Sequence, residues 1–185
     1  MEPDWGGRTD DLQGIEEGLP WLLDQCRTHA LRGIFFLSTQ YLDRYVDLAQ
    51  RIKSDGHKIG CHGDAHHSWR GSKWYEWRLD YLHAMTKIEK TFSLRRHEIP
   101  YRAPKFSHRD YRHKYSDPKE HTSLLKHLWL RQPLQKILYC HPFDLVEVPQ
   151  KNPPNLFCAV WYRRGVEAKR LMESLLCSNT FESVS

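Results

Sequence analysis

Two histidines four residues apart enclose a carboxylate in the segment His62-Gly63-Asp64-Ala65-His66. Side chains at that spacing can point the same way from a turn or a first helical turn. Two neutral imidazoles plus one carboxylate make a three-ligand site with open positions for water, the pattern of catalytic zinc. At the N-terminus, Glu2-Pro3-Asp4-Trp5-Gly6-Gly7 sets two carboxylates about a proline, and these can supply an anionic ligand. Tyr101-Arg102-Ala103-Pro104 offers a guanidinium able to hold a carboxylate through a bidentate contact. Leu138-Tyr139-Cys140-His141-Pro142 offers an imidazole that can serve as general acid or base. Each segment also has a plainer reading. A chain with twelve histidines contains chance pairs, an acidic N-terminus can fray, and an arginine or histidine at a strand end can be purely structural.

The elements that must position these residues alternate between strand and helix. Leu19, Leu22, Leu23, Cys26 and Ala30 recur at helical spacing, with Pro20 suited to a first turn. Gly33 precedes the apolar run Ile34-Phe35-Phe36-Leu37, which reads as a buried strand. Leu42, Tyr45, Val46, Ala49 and Ile52 predict a helix stopped by Asp55-Gly56. Lys58-Ile59-Gly60-Cys61 predicts a second strand. Trp74, Trp77, Tyr81, Met85, Ile88 and Phe92 share one stripe of a long helix. Residues 99–102 form a third strand candidate, ended by Pro104. A short helix is expected at Leu124, Leu125, Leu128 and Trp129, a fourth strand at 137–140 and a fifth at 156–161. Ala168, Leu171, Met172 and Leu175 close the chain as an amphipathic helix. Short apolar strands alternating with helices are the pattern of a parallel α/β fold. His62, Arg102 and His141 all fall just past strand C-termini, the functional edge of such folds.

Composition narrows the function classes. The 185 residues are 39% hydrophobic, 12% aromatic and 28% charged, a globular composition consistent with one domain spanning the chain. No apolar run reaches the ~20 residues of a membrane-spanning helix, and no signal peptide is read at the start. Five cysteines with no C-x-x-C spacing argue against a disulfide scaffold and for a reducing compartment, so a cytoplasmic location is expected. The net charge of +5 is concentrated between Arg95 and Arg131, where ten Lys/Arg face four Asp/Glu. That stretch has no aromatic stacking pattern and no nucleic-acid motif, so it reads as a solvated surface rather than a nucleic-acid interface.

In this order and spacing, the segments resemble the polysaccharide deacetylase family, the NodB-homology group of carbohydrate esterases. Arg32-Gly33-Ile34-Phe35-Phe36 resembles the family's "ATFF" strand. Ile59-Gly60-Cys61-His62-Gly63-Asp64-Ala65-His66 resembles its I-G-x-H-[TSG]-x-x-H metal motif. Tyr101-Arg102-Ala103-Pro104 resembles its R-x-P motif, and Leu138-Tyr139-Cys140-His141 its L-x-H motif.

The resemblance implies an α/β fold, a distorted (β/α) barrel of parallel strands, usually seven in the family. It implies a metal-dependent hydrolase of acetamide C–N bonds acting on an N-acetylated sugar or cell-wall glycan. His62 and His66 fall on the histidine ligand positions and Glu2 on the acidic one, with Asp4 as its alternative. The metal expected is Zn2+, with Co2+ or Ni2+ able to substitute. His141 falls on the general acid and Arg102 on the residue that orients the base. The family's base aspartate would fall before Met1, which implies a barrel incomplete at the N-terminus, and Asp4 is the nearby candidate to replace that base. Lys105 stands where the third motif usually has an aromatic residue, and the polar segment 107–121 where another strand and an acidic motif usually lie, with Asp117 a weak candidate for that acid. Two other readings stay open: an inactive or truncated relative that keeps metal or glycan binding, and a small-amide hydrolase of the same fold. Trp5, Trp69 and Trp74 could stack on a sugar, although Trp74 fits the core equally well.

Overall fold

The computed structural model describes residues 12–65, 73–102, 140, 142–146 and 165–178. A π-helical turn, Gly14–Gly18, runs directly into helix α1 (Leu19–Thr28). Pro20 sits in the first turn of α1. Ile15, Leu19 and Leu23 recur on one face and are buried. Strand β1 (Ile34–Leu37) follows, then a tight 3-10 turn at Thr39–Tyr41, helix α2 (Val46–Ser54) and strand β2 (Lys58–Cys61). The long helix α3 spans Trp74–Phe92. A 3-10 turn at Arg96–Glu98, another at Pro142–Leu145 and helix α4 (Val166–Ser178) complete the described elements.

β1 and β2 pair in parallel, in the register Ile34 with Lys58 through Leu37 with Cys61. Parallel strands cannot be joined by a tight turn; here α2 makes the crossover. Both α2 and α3 pack against β2. Their inward residues follow helical periodicity: Ala49 and Ile52 from α2, and Ala84, Met85, Ile88 and Phe92 from α3, all buried in one cluster with Leu37, Ile59 and Cys61. The first turn of α3 is closed by Glu76, whose carboxylate accepts the Lys73 N–H at 2.9 Å.

Three sequence expectations are adjusted. The apolar pattern starts the second helix at Leu42, but the structure starts it at Val46. The chain spends Thr39–Tyr41 in a tighter turn, and Tyr45 adopts a non-helical backbone at φ −120° and ψ 34°. Leu42 is still fully buried, which is why its periodicity looked helical. The third strand, expected over 99–102, is one parallel bridge between Tyr101 and Cys61. The 3-10 turn ends just before it, and Pro100 has no N–H to give a ladder. Trp74 shares the stripe of α3 by spacing but is 70% exposed, because it occupies the first turn, before the helix reaches the core at Ala84. Apart from Cys140, the elements expected over 124–129, 137–140 and 156–161 lie outside the described residues.

Gly60 shows how tightly β2 is packed. A Cβ there would lie 2.6 Å from the Phe36 ring and 3.1 Å from the Pro100 carbonyl oxygen. Gly60→Ala is therefore expected to destabilise the fold by about 1–3 kcal/mol, the range for overpacking, measured as a lower urea midpoint with unchanged slope. His57 supplies a second test. It is buried beside the Phe35 ring, and its Nδ1 accepts the Gly33 N–H at 3.1 Å, a bond that protonation of Nδ1 would destroy. Burial holds this imidazole below its ordinary value of 6.5. The unfolded chain then binds its proton at higher pH than the folded chain, so stability falls as pH drops below 6.5. Denaturation midpoints taken from about pH 8 to about pH 5 should decline in the wild type and decline less in His57→Asn.

Candidate functional site

His62 follows the last residue of β2, and the sheet fixes both sides of it. The His62 N–H donates to the Leu37 carbonyl at 2.9 Å, carrying the β1–β2 ladder one step further. On the other side, Cys61 N–H donates to Pro100 O at 2.8 Å and Arg102 N–H to Cys61 O at 2.9 Å. This leaves the Arg102 carbonyl beside the His62 ring. Nδ1 of His62 lies 2.6 Å from that oxygen. A carbonyl oxygen can only accept, so Nδ1 carries the proton and the lone pair of the neutral ring sits on Nε2. His62 is 5% exposed.

The turn after His62 is pinned on both faces. Gly63 adopts φ +89°, a conformation that disfavours any side chain. The carbonyls of Gly63 and Asp64 accept the N–H groups of Thr39 and Gln40 at 3.1 and 3.3 Å. The N–H groups of Asp64 and Ala65 donate to the two carboxylate oxygens of Asp80 on α3, at 2.9 and 2.8 Å. The Asp64 carboxylate takes the Thr39 hydroxyl at 2.5 Å and pairs with His83 Nδ1 at 3.0 Å. Thr39 is fully buried, as is Ser38 just after β1, whose hydroxyl has no hydrogen-bond partner among the described residues.

Aromatic rings support the third side. Trp77 Nε1 donates to the Tyr101 hydroxyl at 2.9 Å, and Tyr81 meets Tyr101 edge-on with ring centroids 4.7 Å apart. Burial raises the Tyr101 phenol well above its ordinary value, so it remains neutral. Burial likewise pushes the Cys61 thiol up to about 11, which keeps it protonated at neutral pH. The Arg102 guanidinium lies over the Phe36 ring, 6.0 Å from its centroid.

Of the site residues expected from sequence, the structure describes His62 and Arg102 and brings them together through the Arg102 main chain. His66, Glu2, Asp4 and His141 lie outside the described residues, as do Trp5 and Trp69. Among the described residues, no three metal-ligating side chains cluster, and no helix is long and apolar enough to cross a membrane. The sequence reading missed Thr39, Asp80 and His83. Asp80 carried a detectable signal. It lies three residues after Trp77 and four before Ala84, so a charge interrupts the inward stripe of α3.

A family model described as polysaccharide deacetylase matches residues 9–118, more than half of the chain. The chain belongs to the polysaccharide deacetylase family. The matched region takes in the β1 strand, the segment 59–66 and Tyr101-Arg102, whereas Glu2, Asp4 and His141 fall outside it. Among solved structures, the peptidoglycan deacetylase PdaC from Bacillus subtilis is similar, with a TM-score of 0.60 at 13% identity, over 90% of this chain and 80% of that one. At that identity the likeness is one of fold, an α/β polysaccharide deacetylase fold with parallel strands. The Bc1960 peptidoglycan N-acetylglucosamine deacetylase aligns with a TM-score of 0.39 at 24% identity, over 40% of this chain and only 35% of that one. A search of curated protein sequences finds no match.

The motif resemblance implies a metal held in part by histidine, and the His62 geometry is compatible with that expectation. A metal-ligating histidine ordinarily gives its other ring N–H to a carbonyl or carboxylate, which fixes the tautomer and the ring plane. The Arg102 carbonyl makes that contact here. In metal-free protein at mildly alkaline pH, 15N spectra of the His62 ring should show Nδ1 protonated and Nε2 unprotonated. The opposite tautomer would remove the structural basis for ligation through Nε2.

Proposed function

We propose that this chain is a metal-dependent hydrolase of acetamide C–N bonds that deacetylates an N-acetylated sugar or a cell-wall glycan. The observation that carries the reading is His62, a buried imidazole at the carboxyl end of a parallel strand with its Nδ1 proton held by Arg102, in a chain of the polysaccharide deacetylase family. The glycan substrate is supported by the family and by PdaC, which is described as a peptidoglycan deacetylase. The finer fold reading, a (β/α) barrel whose strand ends collect the site residues, belongs to the same proposal.

His62 and His66 would hold the ion with Glu2 as the carboxylate ligand, or with Asp4 in its place. Two imidazoles and one carboxylate suit Zn2+, with Co2+ or Ni2+ able to substitute. Such an ion lowers the pKa of water and polarises the amide carbonyl. The protein supplies the rest. A carboxylate base takes the proton of the attacking water, and Asp4 fills that role when Glu2 is the ligand. Arg102 orients the base by a charge-assisted contact. His141 donates a proton to the departing nitrogen, because an amine leaves poorly as an anion.

Metal analysis of purified protein, together with acetate release from an N-acetylated chito-oligosaccharide, tests this reading. The wild type should carry zinc near one equivalent, and His62→Ala and His66→Ala should lose both metal and turnover. His141→Ala should keep the metal while kcat falls by about 10²–10⁴-fold, the usual worth of a general acid. A wild type that takes up no divalent metal, or a His62→Ala variant that retains it fully, overturns the proposal.

A further inference from the structure

We propose that Asp80 is a positioning residue that sets the turn after His62, through Ala65, in its metal-capturing shape before any ion arrives. This rests on the metal reading above and adds a residue that the motifs do not contain. The contact is bidentate: Oδ2 accepts the Asp64 N–H at 2.9 Å and Oδ1 accepts the Ala65 N–H at 2.8 Å. These two consecutive amides lie between the two proposed histidine ligands. A turn with two adjacent N–H groups on one side is a natural anion-binding concavity, and α3 fills it with its own carboxylate.

The helix can hold that carboxylate in place because its later turns are anchored in the core by Ala84, Met85, Ile88 and Phe92. The opposite face of the turn is held by the Thr39 and Gln40 amides. Fixed from both sides, the turn loses less freedom when it closes on an ion. The chemistry calls for a carboxylate. Asn has a single acceptor oxygen, and its NH2 would face the second backbone N–H donor to donor. Glu keeps both acceptor oxygens at the cost of one extra methylene.

The test uses the full chain, with Zn2+ alone as probe in competition with a chelating dye, amide exchange of the metal-free protein and a thermal melt. Asp80→Asn should unfold cooperatively near the wild-type temperature. Its Asp64 and Ala65 amides should exchange about 10-fold faster or more, as loss of charge-assisted hydrogen bonds implies. Zinc affinity should fall by about 10–100-fold, the usual cost of removing an outer-shell partner, and Asp80→Glu should recover most of it. If Asp80→Asn does not fold, Asp80→Ser takes its place in the same comparison.

Unchanged zinc affinity in a folded Asp80→Asn protein, with His62→Ala abolishing binding, overturns the positioning role and leaves the metal reading standing. A loss of affinity matched by a loss of global stability and not rescued by Glu also overturns it, as a purely structural effect. If His62→Ala binds zinc as tightly as the wild type, the metal reading fails and this inference fails with it.

Discussion

Everything at this site depends on where the Arg102 carbonyl oxygen lies. It accepts the Nδ1 proton of His62, so it decides which ring nitrogen keeps the lone pair and which way the imidazole faces. That oxygen is not placed by the Arg102 side chain. It is placed by the parallel bridge one residue earlier, where Cys61 and Tyr101 exchange contacts through Pro100 O and Arg102 N–H. The site geometry is therefore a property of the backbone ladder. The Arg102 side chain is left to lie over Phe36 while its own main chain performs the positioning.

The ladder in turn depends on packing that admits no slack. β2 is buried from Ile59 through Cys61, with α2 and α3 packed against it. Gly60 leaves room for the Phe36 ring of its register partner, the same ring on which the Arg102 guanidinium rests. The Ile-Gly of the segment thus has a packing reason: a side chain at 60 would push on Phe36 and on the Pro100 carbonyl together. A shift of Pro100 would carry Tyr101 and Arg102 with it. Core packing, ladder and imidazole orientation form one chain of constraints, and interiors at native density transmit such displacements rather than absorb them.

What was legible in the sequence follows from what periodicity reports. Ile34–Leu37 and Lys58–Cys61 were legible because short apolar runs were bounded by Gly33 and by Asp55-Gly56. Helices α3 and α4 were legible because their apolar residues repeat at helical spacing, and His62 because it follows a strand. Leu42 misled because a 3-10 turn also buries its apolar residue. Tyr101 was read as part of a strand because nothing local shows that a proline will leave it a single bridge. Thr39, Asp80 and His83 escape the sequence reading for a different reason. Their roles are polar contacts to residues 25, 16 and 19 positions away along the chain. Burial patterns carry no information on such pairings, except where a charge such as Asp80 breaks an inward stripe.

The placement of the two aspartates near His62 also bears on where an anionic ligand can come from. Asp64 lies between the two histidines in sequence. The structure turns its two oxygens to the Thr39 hydroxyl and the His83 ring. Asp80 turns its two oxygens to backbone amides. Turning the Asp64 carboxylate away from its Thr39 contact would leave the fully buried Thr39 hydroxyl unsatisfied, at a cost of about 1–3 kcal/mol. Both acids therefore act as framework. They hold the turn that follows His62. The proposed carboxylate ligand, Glu2 or Asp4, comes from another part of the chain.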